Sequence, residues 1–406
     1  MNSILKFLIS AALVLNSFFF DTNNIYHSND DLVVSTETDS TSEDIDLGIS
    51  SKSAILIEAN SGMILYEKNK TLELKPASVT KIMTLLLCYD EITAGNMSYD
   101  DIITISGHAA SMGGSQCFFE EGEQQTVHDI IKCIEISSGN DAAVAMGEHL
   151  AGSETEFVKL MNNRAKELGM NNTNFVNACG LDDPNHYTSA LDIGLMSREL
   201  ILKHPEIFDI STIWMDHIIH RTSKGESRFD LANTNKFLRQ YTGANGLKTG
   251  FTSEAGYCMS GTATRDGVTL IAVIMGADTK EIRNSEVGKL LDFGFSKCEI
   301  YTDTNVLDNN ISFNINDGVK KYVTPETIKE HKVTLINNNS DNIVKNFKLS
   351  KDLKAPVKKG DEIGTVEYML DGKVIDKVII YSSENIAKKS YSISIRDLCN
   401  KFFVVE

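Results

Sequence analysis

Apolar and polar positions change their period several times along the chain. Ala54–Ile57 and Met63–Tyr66 are short strand-like apolar runs separated by Asn60-Ser61-Gly62, a turn sequence, which predicts a hairpin. From Pro76 to Asp90 the period becomes helical, with Ile82, Leu85, Leu86 and Tyr89 on one face. Val127–Ile136 and Asp141–Leu150 read as two helices broken by Ser137-Ser138-Gly139-Asn140. A further helix runs over Glu154–Leu168 and is ended by Gly169. Residues 246–252 (GLKTGFT), 256–264 (GYCMSGTAT) and 268–278 (VTLIAVIMGAD) then form three consecutive strands, the last two joined by a turn at Arg265-Asp266-Gly267. A helix from Asn284 to Phe293 closes the region.

Beyond about residue 300 the pattern shifts to short alternating stretches (KVTLI, EIGTVEYML, KVIDKVIIY) broken by NNNSDN, KKGD and LDGK, which predicts a small all-β domain over 305–383. The tail, 384–406, places Ile395, Leu398 and Phe402 on one helical face among Lys388, Lys389, Arg396 and Lys401. That is the composition of an interfacial amphipathic helix, or of a frayed terminus. At the other end, Lys6 precedes an apolar run from Phe7 to Leu15, with Phe18–Phe20 beyond it. This is the layout of a secretory leader over residues 1–20, cleaved or retained as an anchor. Residues 21–48, rich in Ser, Thr, Asp and Asn, read as a disordered acidic linker. The span 49–300 is left as the main domain.

The net charge of −17, with no Lys/Arg-rich block, excludes a nucleic-acid partner. The seven cysteines show no Cys-x-x-Cys spacing, and so neither a disulfide framework nor a zinc site. His217 and His220 are the only close histidine pair; without a third ligand they read as part of a helix or strand surface. No metal and no cofactor are expected.

Three short motifs carry possible chemistry. Ser78 and Lys81 lie one helical turn apart just after Pro76, at a helix start where free N–H groups favour negative charge. A buried lysine there can lose its proton and activate the serine. Equally, Ser78 could cap the helix with Lys81 in solvent, and Ser3–Lys6 repeats the spacing within the leader. Ser138-Gly139-Asn140 sits at a helix–loop–helix break, where polar groups project into a cleft. Lys248-Thr249-Gly250 lies on a strand, offering an ammonium and a hydroxyl to a carboxylate and a glycine for close approach of a ligand backbone. Each is weak alone; in this order, and on these elements, they match the Ser-x-x-Lys, Ser-x-Asn, Lys-Thr-Gly set of penicillin-binding proteins and serine β-lactamases.

The chain resembles the low-molecular-mass penicillin-binding proteins that are serine-type D-alanyl-D-alanine carboxypeptidases, the peptidase S11 group. LKPASVTKIMT, SSGNDAAVAMGEHLAG, GLDDPNHYTSALDIGLMSREL, NGLKTGFTSEAGYCMSGTATRDGVTLIAVIMG and LLDFGF carry the likeness over roughly residues 50–299, and LKAPVKKGDEIGTVEYMLDGK resembles the β-rich C-terminal domain of the same enzymes. The resemblance implies an α/β (α+β) penicillin-binding/β-lactamase-like transpeptidase fold, with an antiparallel sheet flanked by helices and a smaller all-β domain. It implies Ser78 as acylated nucleophile, Lys81 as general base, Ser138 as proton relay to the leaving group and Asn140 as binder of the substrate amide. Lys248 and Thr249, beside Gly250, would hold the terminal carboxylate, with Arg283 in support. The N–H groups of Ser78 and Phe251 would form the oxyanion hole. The implied partners are a peptidoglycan stem peptide ending in D-Ala-D-Ala, β-lactam antibiotics as covalent inhibitors and, through the tail, the outer face of a membrane.

Several readings compete. A class A β-lactamase shares the motifs, but the chain has no Glu-x-x-Leu-Asn to supply a deacylating glutamate, and its literal Ser-Asp-Asn at Ser340 follows the Lys-Thr-Gly. A D,D-endopeptidase would use the same chemistry on another leaving group. A non-catalytic wall-binding protein of the same fold would have no use for a complete set of catalytic positions.

Overall fold

A computed structural model of the chain describes residues 46–307, 313–336, 342–350 and 353–390. Residues 1–45, which hold the expected leader and most of the expected acidic linker, and the tail from 391 lie outside the described residues.

A five-stranded antiparallel sheet forms the centre. The hairpin is β1 (Ser53–Glu58) and β2 (Ile64–Lys68). Then come helix α1 (Lys81–Thr93), the short strands β3 (Ile102–Thr104) and β4 (Gln124–Thr126), and helices α2 (Val127–Glu135), α3 (Asn140–Ala151), α4 (Glu154–Glu167) and α5 (Ala190–Lys203). A second hairpin, β5 (Met215–Thr222) and β6 (Gly225–Ala232), precedes the meander β7 (Ala244–Thr252), β8 (Gly256–Arg265) and β9 (Val268–Ala277). Helix α6 (Lys280–Lys297) follows. The strand order is β2-β1-β9-β8-β7, which leaves β7 at an edge.

Helices cover both faces of the sheet, and this explains why β1 and β9 read as continuous apolar runs rather than alternating ones. Successive side chains of a strand point to opposite faces. Ile55, Ile57, Ile271, Val273 and Met275 join the large core shared with α1–α5. Ala54, Leu56, Leu270, Ala272 and Ile274 face the other way, onto Val287, Leu290 and Leu291 of α6. Those three positions recur at helical spacing and form a single apolar stripe.

Four helices begin on a side-chain cap that fixes their start: Thr126, Ser153, Ser189 and Thr279 each accept from the N–H three residues on. The cap at Thr279 starts α6 four residues before the expected Asn284, and the helix continues to Lys297 instead of Phe293. The polar residues Lys280, Glu281 and Lys297 hide both ends from a reading based on apolar spacing. The expected helix or strand surface around His217 and His220 is also only half right. The pair lies on β5, but His220 is buried, with Nδ1 2.8 Å from a Glu123 carboxylate oxygen.

The C-terminal region is all β among the described residues. It contains β10 (Cys298–Asp303), β11 (Phe313–Asn314), β12 (Tyr322–Val323), β13 (His331–Ile336), β14 (Ile343–Leu349), β15 (Glu362–Leu370) and β16 (Lys373–Tyr381), arranged as pairs β10–β13 and β11–β12 and the sheet β14-β15-β16. Phe313, Val333, Ile363, Val366 and Tyr368 form its separate core. Pairing continues beyond residue 383: Ile386 bridges to Val357 and Lys388 to Gly318. Among the described residues no helix is long and apolar enough to cross a membrane.

Candidate active site

Ser78 lies in a 3-10 turn, Ala77–Thr80, that leads directly into α1. No side chain caps this turn, α1, or α3 at Gly139, so the helix starts at the two motifs lack the cap that the other four carry. Ser78 is therefore no helix cap. Its Oγ lies instead 3.1 Å from Lys81 Nζ. Ala77 just before it has φ +49°, a costly conformation for a residue with a Cβ.

Two close approaches hold this strained turn. A Cβ on Gly250 would meet Pro76 O at 2.9 Å, Ala77 Cβ at 3.0 Å and the Ser78 nitrogen at 3.0 Å. The glycine of Lys-Thr-Gly thus makes room for the protein's own backbone beside Ser78. This corrects the expectation that its free space serves a ligand. On the other side, Gly180 (φ +88°) sits against the Ala77 carbonyl. Asn177 Oδ1 shapes that loop by accepting from the N–H groups of Cys179, Gly180 and Leu181, at 3.2, 2.7 and 3.2 Å.

Lys81 is fully buried, and burial, reinforced by the nearby Lys248 ammonium, lowers its pKa from the ordinary lysine value to about 7. Its Nζ has three oxygen neighbours: Asn140 Oδ1 at 2.6 Å, Cys179 O at 2.7 Å and Ser78 Oγ at 3.1 Å. Amide and peptide oxygens can only accept. A neutral amine has two N–H bonds, and these are taken by Asn140 and Cys179. Its lone pair is then left to face the Ser78 hydroxyl. Burial and the Lys248 charge remove the lysine proton, and the two acceptors point the resulting base at the serine.

Asn140 is fixed from two further directions, its Nδ2 donating to Gly113 O at 2.6 Å and its own N–H to Ser115 O at 2.7 Å. Ser138, two residues before it, has φ +62°. Its Oγ is buried and has no hydrogen-bond partner among the described residues. An orphaned hydroxyl costs free energy, so this one is held ready for a group that arrives later.

Lys248 and Thr249 are buried on β7. Burial lowers the Lys248 pKa, Arg283 pushes the same way, and the Glu135 carboxylate opposes them. Glu135 ends α2, is itself buried, and has one carboxylate oxygen without a partner among the described residues. Burial pushes its pKa up to about 7 against the pull of Lys248. Arg283 is lowered to about 10 by burial and donates from Nε and Nη2 to Asn284 Oδ1. Its guanidinium lies 5.9 Å from the Tyr257 ring, against which Phe251 packs with ring centres 4.3 Å apart.

Lys81 thus contacts both Ser78 and Asn140, Gly250 abuts Ser78, Lys248 acts on Lys81 through its charge, and Arg283 acts in the same way on Lys248. Sequence reasoning missed Glu135, Asn177, the Cys179 carbonyl and Gly180. Only Glu135 carried a signal, a lone acid inside the apolar run CIEI. Among the described residues no cluster of His, Cys, Asp and Glu could hold a metal.

Comparison with known proteins adds relatives to this geometry. Residues 37–279 match the family model described as D-alanyl-D-alanine carboxypeptidase, and residues 301–388 match penicillin-binding protein 5, C-terminal domain. The chain is 40% identical to D-alanyl-D-alanine carboxypeptidase DacF of Bacillus subtilis, over 85% of this chain and 88% of the relative. The solved penicillin-binding protein 5 of Haemophilus influenzae superposes with a TM-score of 0.65 at 32% identity, covering 84% of this chain and 98% of that one. Penicillin-binding protein D2 of Listeria monocytogenes, solved in an ampicillin-bound form, gives 0.52 at 33% identity over 62% of this chain and all (100%) of that one.

Proposed function

The chain belongs to the D-alanyl-D-alanine carboxypeptidase family of serine hydrolases, and from that premise we propose that it removes the terminal D-Ala of peptidoglycan stem pentapeptides through an acyl-enzyme on Ser78. Ser78 Oγ attacks the carbonyl of the penultimate D-Ala while Lys81 takes its proton. The N–H groups of Ser78 and Phe251 receive the oxyanion, charge that exists only in the transition state. The C–N bond breaks, an ester to Ser78 remains, and the proton reaches the leaving amine through Ser138. Lys248 and Thr249, with Arg283 behind them, bind the carboxylate of that leaving D-Ala, and Asn140 binds the acyl-side amide. Water, activated by the same lysine, then hydrolyses the ester. A β-lactam acylates Ser78 by the same first step.

The observation that carries this reading is the three-way environment of the Lys81 amine, which leaves its lone pair only the Ser78 hydroxyl to meet. The test is release of free D-alanine from a pentapeptide ending in D-Ala-D-Ala. No release while penicillin still acylates Ser78 would sink the carboxypeptidase reading and leave the family intact.

The site of action we infer is extracytoplasmic. Lys6 and the apolar run Phe7–Leu15 support export, and the tail 384–406, with Ile395, Leu398 and Phe402 at helical spacing among Lys388, Lys389, Arg396 and Lys401, supports contact with a membrane surface. Sedimentation with anionic vesicles of the full chain, but not of one truncated after residue 390, checks the second point.

A further inference from the structure

Phe118 is 65% exposed, yet its backbone is held at φ +61°. A bulky side chain gains nothing from solvent to offset such a conformation, so its surroundings must impose it. They do so from the active site. The N–H of Cys117 donates to both carboxylate oxygens of Asp141, at 2.9 and 3.1 Å, and that of Phe119 approaches the same carboxylate at 3.5 Å. Asp141 directly follows Asn140, whose own backbone and side chain bond Ser115 and Gly113. The segment Gly113–Phe119 is therefore tied to the first turn of α3, and the Phe118 ring stands at a fixed place relative to Asn140.

A second, separate element braces the ring. Phe229 of β6 meets Phe118 edge to face with centres 6.0 Å apart. Behind it the buried His220 packs on Phe229 at 5.4 Å and on Phe119 at 5.6 Å, and is bonded to Glu123. The β5–β6 hairpin and the β3–β4 loop thus converge to hold one exposed aromatic ring on the loop that is hydrogen-bonded to Asn140 and Asp141.

We propose that Phe118 is a specificity-determining residue, and that its ring packs against the long aliphatic side chain of the substrate residue preceding the D-Ala-D-Ala pair. This rests on the carboxypeptidase reading. On that reading Lys248 holds the leaving D-Ala and Asn140 the acyl-side amide, and because Asn140 is bonded to Gly113 and Ser115, the Gly113–Phe119 segment is the one the acyl-side residue would meet. The chemistry that suits an exposed aromatic there is a stem of methylenes, as in a lysine-type residue, whose polar end stays in water.

The test compares Nα,Nε-diacetyl-L-Lys-D-Ala-D-Ala with Nα-acetyl-L-Ala-D-Ala-D-Ala, which differ only in that side chain. The unaltered protein should prefer the lysyl peptide in kcat/KM by about tenfold or more. Phe118→Asn, chosen because asparagine tolerates positive φ, should remove most of that preference and leave the alanyl peptide within about twofold. Phe118→Tyr should retain it. Equal turnover of the two peptides by the unaltered protein would overturn the inference whatever the variants do, as would an equal fall on both peptides in Phe118→Asn with an unchanged melting temperature. Failure of the unaltered protein to release D-alanine from either peptide would overturn the proposed function itself, and this inference with it.

Discussion

Gly180 and Ala77 meet backbone to backbone: a Cβ built on Gly180 would stand 1.8 Å from the Ala77 carbonyl oxygen. That contact joins the strained Ala77 to a glycine whose φ of +88° a residue with a Cβ would adopt only at a cost. One sets the turn that presents Ser78; the other belongs to the loop whose Cys179 carbonyl accepts from Lys81. Gly180→Ala should therefore cost about 1–3 kcal/mol or more from overpacking and positive φ combined, and also slow acylation by penicillin. Gly250→Ala, whose Cβ would meet the Pro76 carbonyl at 2.9 Å, should cost less. Melting curves and labelling rates of the two variants check the order; wild-type behaviour of Gly180→Ala would contradict it.

The acid limb of the pH profile follows from Lys81. Its pKa is lowered to about 7, so below that pH the amine carries a third proton and has no lone pair for Ser78. The second-order rate constant for acylation should rise with pH through about 7 and then level off. At higher pH it should fall as Lys248 loses the proton that binds the substrate carboxylate, earlier than for an ordinary lysine because burial lowers its pKa. A profile flat from about pH 5 to pH 9 would rule out Lys81 as the base.

Lys248→Ala should lower kcat/KM for a peptide with a free terminal carboxylate by about 10- to 100-fold, the worth of a charged hydrogen bond. The same peptide ending in an amide should lose little, since it offers no anion. Equal losses on both peptides would assign Lys248 a structural role.

Glu135 supplies the negative charge that keeps the Lys248 proton in place against burial and Arg283. Glu135→Gln keeps the shape and removes the charge, so the alkaline limb should move to lower pH while the acid limb stays where Lys81 sets it. An unmoved alkaline limb would show that the two groups do not communicate.

The sheet and the order of the motifs were legible because both depend on local pattern. β1 and β9 are apolar on both faces, and Ser78–Lys81 follows a proline at a helix start. What escaped was decided by contacts distant in sequence. Gly250 looked like space for a ligand, but Pro76–Ser78 fill it, some 170 residues away in the chain. Cys179 contributes a carbonyl, and a main-chain oxygen leaves no mark on residue identity. His220 looked like surface because its partner Glu123 lies about a hundred residues earlier. The start of α6 was missed for a local reason: its first turn is polar, and only the Thr279 cap announces it.

The central claim is that Ser78 carries the acyl group. The most direct measurement is to react the protein with benzylpenicillin, digest it, and locate the added mass by mass spectrometry. The adduct should sit on the peptide containing Ser78 and vanish in Ser78→Ala, with the folded state retained. An adduct that persists in Ser78→Ala, or that maps to Ser138, would contradict the account.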